Sequence, residues 1–546
     1  MTGRAMWHRP CVVVSAEAAP PSAASPSQPQ RRLLTAGGLM VAAALVAVLV
    51  VLCRRVGDPD FWWHLETGEW ILDHGALPGH ELFTYTVSSH AWVDQEYGNE
   101  ILIALLFRAG GFLAVSLAYT AVTWAGFWMI WRRIGMERVP PVIAAICLLL
   151  AAAAGVDEWG PRSQMISFTL TALTLLWVEA YLRDRNRHLQ WLPAVILVWA
   201  NLHGGFVYGL AVVGLAAVAE SILWGLDTRE GAHRRRALGL WAVLLVSALA
   251  ALVNPFTYKV YAIVAEVQFS AVQQSFIAEW QSPNFHMLAE RALELLLILT
   301  AVGMALRRQR LWDGLIVAAA IYFALAAVRN GTIAAAMVTP VVAWSGAAAW
   351  ERGRFRERFA AALQRRGHDV LILTAAGTLV VAAGTAGLMV NTLSGQTAST
   401  DANFPVMAAD CLADNPGVGS RMLNAFDWGG YLIHRFSTSS SDTPPADRRV
   451  FVYGQATLMG NSLMQEIADV ENAEPDWQSI LARNQVDYVV ERTDSAVTMA
   501  LSVDPQWEEV YDDGFAVILV KRQVLARTPW SYSSASCRAG APRAAA

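Results

Sequence analysis

Asp58-Pro59-Asp60-Phe61-Trp62-Trp63-His64-Leu65 comes directly after the first long apolar run of the chain. Two carboxylates flanking a proline can point at one ion or polar group. Hard cations such as Mg2+ or Mn2+ prefer oxygen ligands, which makes Asp58 and Asp60 candidate metal ligands. A carboxylate beside His64 can also act as a general base toward a hydroxyl. Asp58, Asp60 and His64 are therefore the candidate catalytic group. Ionisable side chains at the mouth of a membrane helix are costly and point to function. The plainer alternative is a solvated interfacial loop with an aromatic belt.

Further polar residues recur at the ends of later apolar runs. Asp94-Gln95-Glu96 supplies a second acidic pair. Asp157-Glu158-Trp159-Gly160-Pro161-Arg162 ends in an arginine whose planar fork suits a phosphate. An interfacial arginine that snorkels has the same signature. Arg329-Asn330 carries the same two readings. His203, between Asn201 and Gly204-Gly205, marks a bend in an apolar helix. It is either a buried histidine satisfied by backbone or part of a cavity lining. Glu96, Asp157, Glu158, Arg162, His203 and Arg329 form the candidate set for a donor phosphate and substrate.

The elements that must position these residues are membrane helices. Of 546 residues, 55% are apolar and only 16% charged, below the roughly 25% charged of soluble domains. A net charge of −4 gives no case for nucleic acid. Five cysteines are too scattered for a metal site or a disulfide scaffold. Cys411 and Cys537 alone fall in the outer domain, where pairing is one alternative that the sequence leaves open. Residues 1–30, rich in Ala, Ser and Pro, read as a disordered cytoplasmic tail. The run at 33–52 reads as an uncleaved membrane helix. Runs at 109–131, 140–156, 164–182, 190–201, 205–224, 238–253, 291–306, 312–328, 332–350 and 370–391 bring the expected span count to about eleven.

With that count, the clusters Arg31-Arg32, Arg132-Arg133, Arg183/Arg185/Arg187, Arg234-Arg235-Arg236, Arg307-Arg308/Arg310 and Arg352–Arg366 all fall on one side, the cytoplasm by the positive-inside rule. Arg54-Arg55 is the exception, lying outside beside Asp58 and Asp60. The expectation is a polytopic α-helical protein of the cytoplasmic (inner) membrane with its N-terminus in the cytoplasm. A membrane domain over 31–391 contains a large first outer loop, 54–100. The loop at 254–290 has the apolar spacing of an interfacial helix. An extracytoplasmic α/β domain follows over 392–523, with strands expected at 449–453, 486–490 and 515–520 and a helix between. Residues 524–546 read as a flexible tail.

Several segments together resemble the GT-C superfamily of multi-spanning glycosyltransferases that use lipid-linked sugars. They are the Asp58–His64 stretch, Arg162-Ser163-Gln164-Met165-Ile166-Ser167, Trp199-Ala200-Asn201-Leu202-His203-Gly204-Gly205, Asn254-Pro255-Phe256, Glu279-Trp280-Gln281-Ser282-Pro283 and Asn424-Ala425-Phe426-Asp427-Trp428-Gly429-Gly430-Tyr431. The resemblance implies a GT-C-like fold and an acidic motif in the first outer loop that serves as base or metal ligand. Asp58 is similar to that acid in oligosaccharyltransferase catalytic subunits, with Asp60 as the competing choice. Trp428-Gly429-Gly430-Tyr431 resembles their acceptor-recognition motif, but the Asp precedes the Trp and a second Trp is missing, so that role is not carried over. The implied partners are a polyprenyl-phosphate-linked sugar donor, a glycan, lipid or protein acceptor, and membrane lipids. The expected function is inverting sugar transfer on the outer face. A transporter or flippase-like protein, or a non-catalytic cell-envelope scaffold, is the alternative.

Overall fold

A computed structural model describes residues 35–541 other than 186–187, 230, 289, 354–366 and 438–442. The tail at 1–30 lies outside the described residues, as do Arg31-Arg32, Arg187 and most of the Arg352–Arg366 cluster. The chain is mostly helical, with one small sheet near its C-terminus.

All eleven apolar runs are helical: α1 (Ala36–Leu52), α3 (Tyr97–Ile134), α4 (Pro141–Ala153), α5 (Gln164–Leu182), α6 (Leu192–Ala200), α7 (Phe206–Leu226), α8 (Gly231–Ala250), α11 (Glu290–Leu306), α12 (Leu311–Ala326), α13 (Gly331–Arg352) and a helix at Gly367–Ser394. Five helical stretches among the described residues are both long and apolar enough to cross a membrane: Tyr97–Ile134, Gln164–Leu182, Phe206–Leu226, Val328–Arg352 and Asp369–Ser394. At one end of the bundle, Arg133, Arg183, Arg307 and Arg310 converge on the Trp344 ring, with guanidinium carbons 4.9 to 5.8 Å from its centroid. Glu137, Glu179 and Asp313 neutralise part of that charge. Basic clusters from three separate loops thus meet at one face.

The long loop expected at 54–100 is folded. Asp58 Oδ1 accepts the Asp60 amide at 3.0 Å, and Pro59 carries a helix-compatible φ of −56°, so Asp-Pro-Asp starts helix α2 (Asp60–His74). Gly75 stops it in the left-handed conformation at φ 63°. The helix packs on the N-terminal end of α3. There Gly110 and Gly111 break helical geometry, Gly111 at φ 59° and ψ −150°, a conformation that needs glycine. This kink separates the N-terminal piece, which carries Glu100 in its first turn, from the long apolar piece.

The C-terminal region builds a four-stranded sheet in the order β1 (Met422–Asn424), β2 (Tyr488–Arg492), β4 (Ala516–Lys521), β3 (Trp507–Asp512). β1 and β2 run parallel, and the other pairs are antiparallel. Two sequence expectations are corrected here. Residues 449–453 do not join the sheet, because their backbone pairs with the loop that precedes α3: Val450 N–H donates to Phe83 O at 3.2 Å and its carbonyl accepts from Tyr85. The segment after 523 is no flexible tail as far as it is described. Cys537 is buried and disulfide-bonded to Cys411, Ser531 N–H donates to Asn415 Oδ1, and Asp512 N–H donates to Gly540 O.

That loop and this domain are stitched together by Tyr85 to Met422 O, Thr86 to Phe451 O and His90 to Leu458 O, at 2.7 to 3.1 Å. Trp428-Gly429-Gly430-Tyr431 sits at that seam. A Cβ on Gly430 would come within 2.7 Å of Pro59 O, and one on Gly454 would collide with Asp60 Oδ1. Gly430 of this motif and Gly454 let the domain touch the Asp-Pro-Asp turn.

Candidate active site

The Asp-Pro-Asp turn opens into a cavity of about 1100 Å3. It lies among α2, the ends of α5, α7 and α12, the loop helices α9 (Lys259–Phe269) and α10 (Ala271–Phe276), and the C-terminal domain. Asp58, Asp60, His64, Glu96, Arg162, His203 and Arg329 all line it. Residues far apart in sequence therefore share one hollow. Glu158 and Asp157 instead line a second hollow of about 600 Å3 behind the turn, where Asp157 is exposed.

Arg162 is held by three carboxylates: Asp58, Glu158 at 3.3 Å, and Glu279. Its fork is thus the counterion of an acidic cluster, and a phosphate would have to displace those acids to reach it. Burial alone would raise the Asp58 carboxyl. The charge and hydrogen bond of Arg162, with the hydrogen bond from the Asp60 amide, overturn that and hold it below its ordinary range. Asp60 goes the other way. Burial and the neighbouring Asp58 charge push it up to about 7, against the Trp63 indole, whose Nε1 donates to its Oδ1 at 3.0 Å. Glu158 is likewise raised to about 7 by burial and Glu279. Neighbouring carboxyls driven apart in this way divide into an ionised group and a proton acceptor poised near neutrality.

His64 belongs to a chain of polar groups along one wall. Its Nδ1 lies 3.0 Å from Glu100 Oε1 and its Nε2 3.7 Å from Glu96 Oε2. Glu96 Oε1 is 3.7 Å from His203 Nε2, and His203 Nδ1 is 2.6 Å from Ser167 Oγ. Burial keeps both imidazoles below their ordinary range, His203 at about 3 with help from Arg329, so both are neutral at pH 7. Arg329 differs from Arg162. It stacks on Trp280, its guanidinium carbon 4.5 Å from the ring centroid, and among the described residues no carboxylate pairs with it. It is the cation of this cavity open to an anion.

The expected Mg2+ or Mn2+ does not fit this donor set. Asp58 is committed through one oxygen to Arg162 and through the other to the Asp60 amide, and one Asp60 oxygen is held by Trp63. Among the described residues no cluster of three His, Cys, Asp or Glu has metal-site geometry. A cation between Asp58 and Asp60 would have to expel Arg162, so no chemical step is routed through a metal.

No family model matches the chain, and no curated protein does. The solved structures similar to it include two of the arabinofuranosyltransferase AftD from mycobacteria, one of them a mutant form, at 15% identity with TM-scores of 0.41 and 0.42. They match 89% and 88% of this chain but only 40% and 41% of their own, so this chain spans well under half the length of AftD. A likeness this distant says nothing of the chemistry, and the reading of the cavity rests on its own side chains.

Several residues of the cavity were not singled out from sequence. Glu279 completes the clasp on Arg162, and only its place in Glu279-Trp280-Gln281-Ser282-Pro283 marked it. Asp427, Glu471, Glu491 and Arg492 bring a second acidic wall from the C-terminal domain. Burial and Glu471 push Glu491 up to about 8, and its Oε2 has no partner. Nothing in the spacing of these acids sets them apart from ordinary surface charges.

Proposed function

We propose that the protein is a membrane glycosyltransferase that moves a sugar from a polyprenyl-phosphate donor to an acceptor hydroxyl at the outer face of the cytoplasmic membrane. The observation that carries this reading is the shared cavity. Ionised Asp58, near-neutral Asp60 and carboxylate-free Arg329 line one hollow that continues into an apolar groove. Val207, Tyr208 and Ala211 of α7, Val264 and Val267 of α9, and Tyr322 and Phe323 of α12 line that groove. A polyprenyl tail suits such a groove, with its phosphate against Arg329 and its sugar toward Asp58 and Asp60.

In the step, Asp60 accepts the proton of the acceptor hydroxyl. The oxygen attacks the anomeric carbon from the face opposite the phosphate. The bond from that carbon to the phosphate oxygen breaks, and its electron pair leaves with polyprenyl phosphate. Arg329 stabilises the departing charge, and Asp58 the positive charge developing on the sugar ring. Attack on the opposite face inverts the anomeric centre. The Cys411–Cys537 disulfide supports an outer, oxidising location for the C-terminal domain.

The test is mass spectrometry of surface glycans, lipids and proteins from a deletion strain complemented with native protein, Asp60→Asn or Asp58→Asn. The proposal expects one glycan to vanish in the deletion strain and to return only with native protein. Full restoration by Asp60→Asn at native protein levels would refute it. Transport that survives both substitutions, with glycans unchanged, would favour a carrier.

A further inference from the structure

The second hollow shares Asp58, Pro59, Pro161 and Arg162 with the main cavity, so the Asp58–Arg162 pair is a partition with a space on either side. The two spaces differ in chemistry. The main cavity runs into an apolar groove, whereas the second hollow is lined mostly by polar and small residues and offers no channel for a lipid tail. Arg54 and Arg55 stand in its wall. Arg54 Nη2 donates to Val156 O at 3.0 Å. Arg55 donates from Nε to Thr392 O at 2.5 Å and from Nη2 to Asn391 O at 3.4 Å. These carbonyls belong to the last turn of the helix at Gly367–Ser394 and to the turn after α4.

Carbonyl oxygens fix an arginine without cancelling its full charge. Among the described residues no carboxylate forms an ion pair with either side chain, and Arg54 Nε is buried without a partner. Of the acids in this hollow, Asp58 and Glu158 are claimed by Arg162, and Asp157 is exposed. Two held, uncompensated guanidinium groups beside Asp58 make an anion site.

Resting on the glycosyltransferase reading, we propose that the second hollow is the acceptor site and that the acceptor carries an anionic group, a phosphate or carboxylate, held by Arg54 and Arg55 while its hydroxyl reaches past the partition to Asp60, which lines the main cavity. The donor then occupies the apolar side, and the two substrates meet at the Asp-Pro-Asp turn from opposite sides.

The test uses the full chain in phosphatidylcholine nanodiscs, with glucose 6-phosphate and glucose as soluble probes, read by saturation-transfer NMR. The expected result is saturable binding of glucose 6-phosphate, with glucose at least about tenfold weaker. Arg54→Gln/Arg55→Gln is expected to weaken the phosphate probe by a similar factor, and Arg329→Gln to leave it in place. Because both arginines also hold helix ends, Ser399→Glu is the second variant. It adds a negative charge to the wall of the hollow without removing either arginine, and it should abolish binding. Equal binding of the two sugars, or binding that survives Ser399→Glu or is lost in Arg329→Gln, would overturn the proposal. So would phosphatidylglycerol retained in native mass spectra by the native chain and released by the double variant, which would assign the hollow to a lipid headgroup. None of these measurements involves a donor or a transfer step, so they can fail while the glycan test of Asp60→Asn succeeds, and the reverse.

Discussion

Replacing Asp58 by Asn tests the division of labour between the two acids directly. Asp60 stands at about 7 against an ordinary 3.8, a rise of roughly three units, or ~4 kcal/mol at about 1.4 kcal/mol per unit. Burial is the larger cause and survives the substitution. The charge of Asp58 is the second cause, and it disappears. Arg162, freed from Asp58, also becomes available to Asp60. Both changes favour the ionised form, so the Asp60 midpoint should fall by about one unit or more while staying above 3.8. The assay is infrared difference titration of the protonated carboxyl band in purified protein, assigned by its loss in Asp60→Asn. If Asp60 is the base, the acidic limb of transfer activity in membrane vesicles should sit near pH 7 in the native protein. Activity falls as pH drops through that value, because the base must be unprotonated. A midpoint that stays in place or rises in Asp58→Asn would show that burial alone sets it, and the argument for paired roles would fail.

Three further outcomes follow from the same structure. Gly454→Ala puts a methyl where Asp60 Oδ1 lies, so it should mimic Asp60→Asn in the glycan assay at near-native protein levels; normal glycans would show that Asp60 moves aside freely. Glu491, raised from an ordinary 4.5 to about 8, keeps its proton when folded and loses it when unfolded, so its burial costs stability increasingly as pH rises between those values. Glu491→Gln should therefore raise the Tm at pH 9 by the equivalent of at most about 5 kcal/mol and leave it unchanged at pH 4, measured by pH-dependent melting in detergent. Cys411→Ala should cost about 2–5 kcal/mol by melting and make the segment around Cys537 open to limited proteolysis; an unchanged digest would mean that packing alone holds that segment.

Local pattern was enough for the helices and for the chemistry at the first helix mouth. Long apolar runs leave the backbone little choice, because every N–H and C=O buried among apolar side chains must find a bond, and a helix supplies it within the segment. All eleven runs are accordingly helical. Asp58-Pro59-Asp60 was legible for a related reason, since carboxylates at a membrane boundary are expensive and a proline there starts a helix. What each acid does was decided by contacts from more than 100 residues away. Arg162 and Glu279 set the charge of Asp58 and, through it, the poise of Asp60, and Gly454 gives Asp60 its space. The same holds for 449–453, whose run of β-branched and aromatic residues suits a strand but whose backbone hydrogen bonds go to 83–85, and for the last residues, where Cys411 and Asn415 hold what composition marked as loose. Periodicity records which face of an element is apolar. Which cation stands beside which carboxylate, and which backbone pairs with which, depends on long-range closure that no short stretch of sequence encodes.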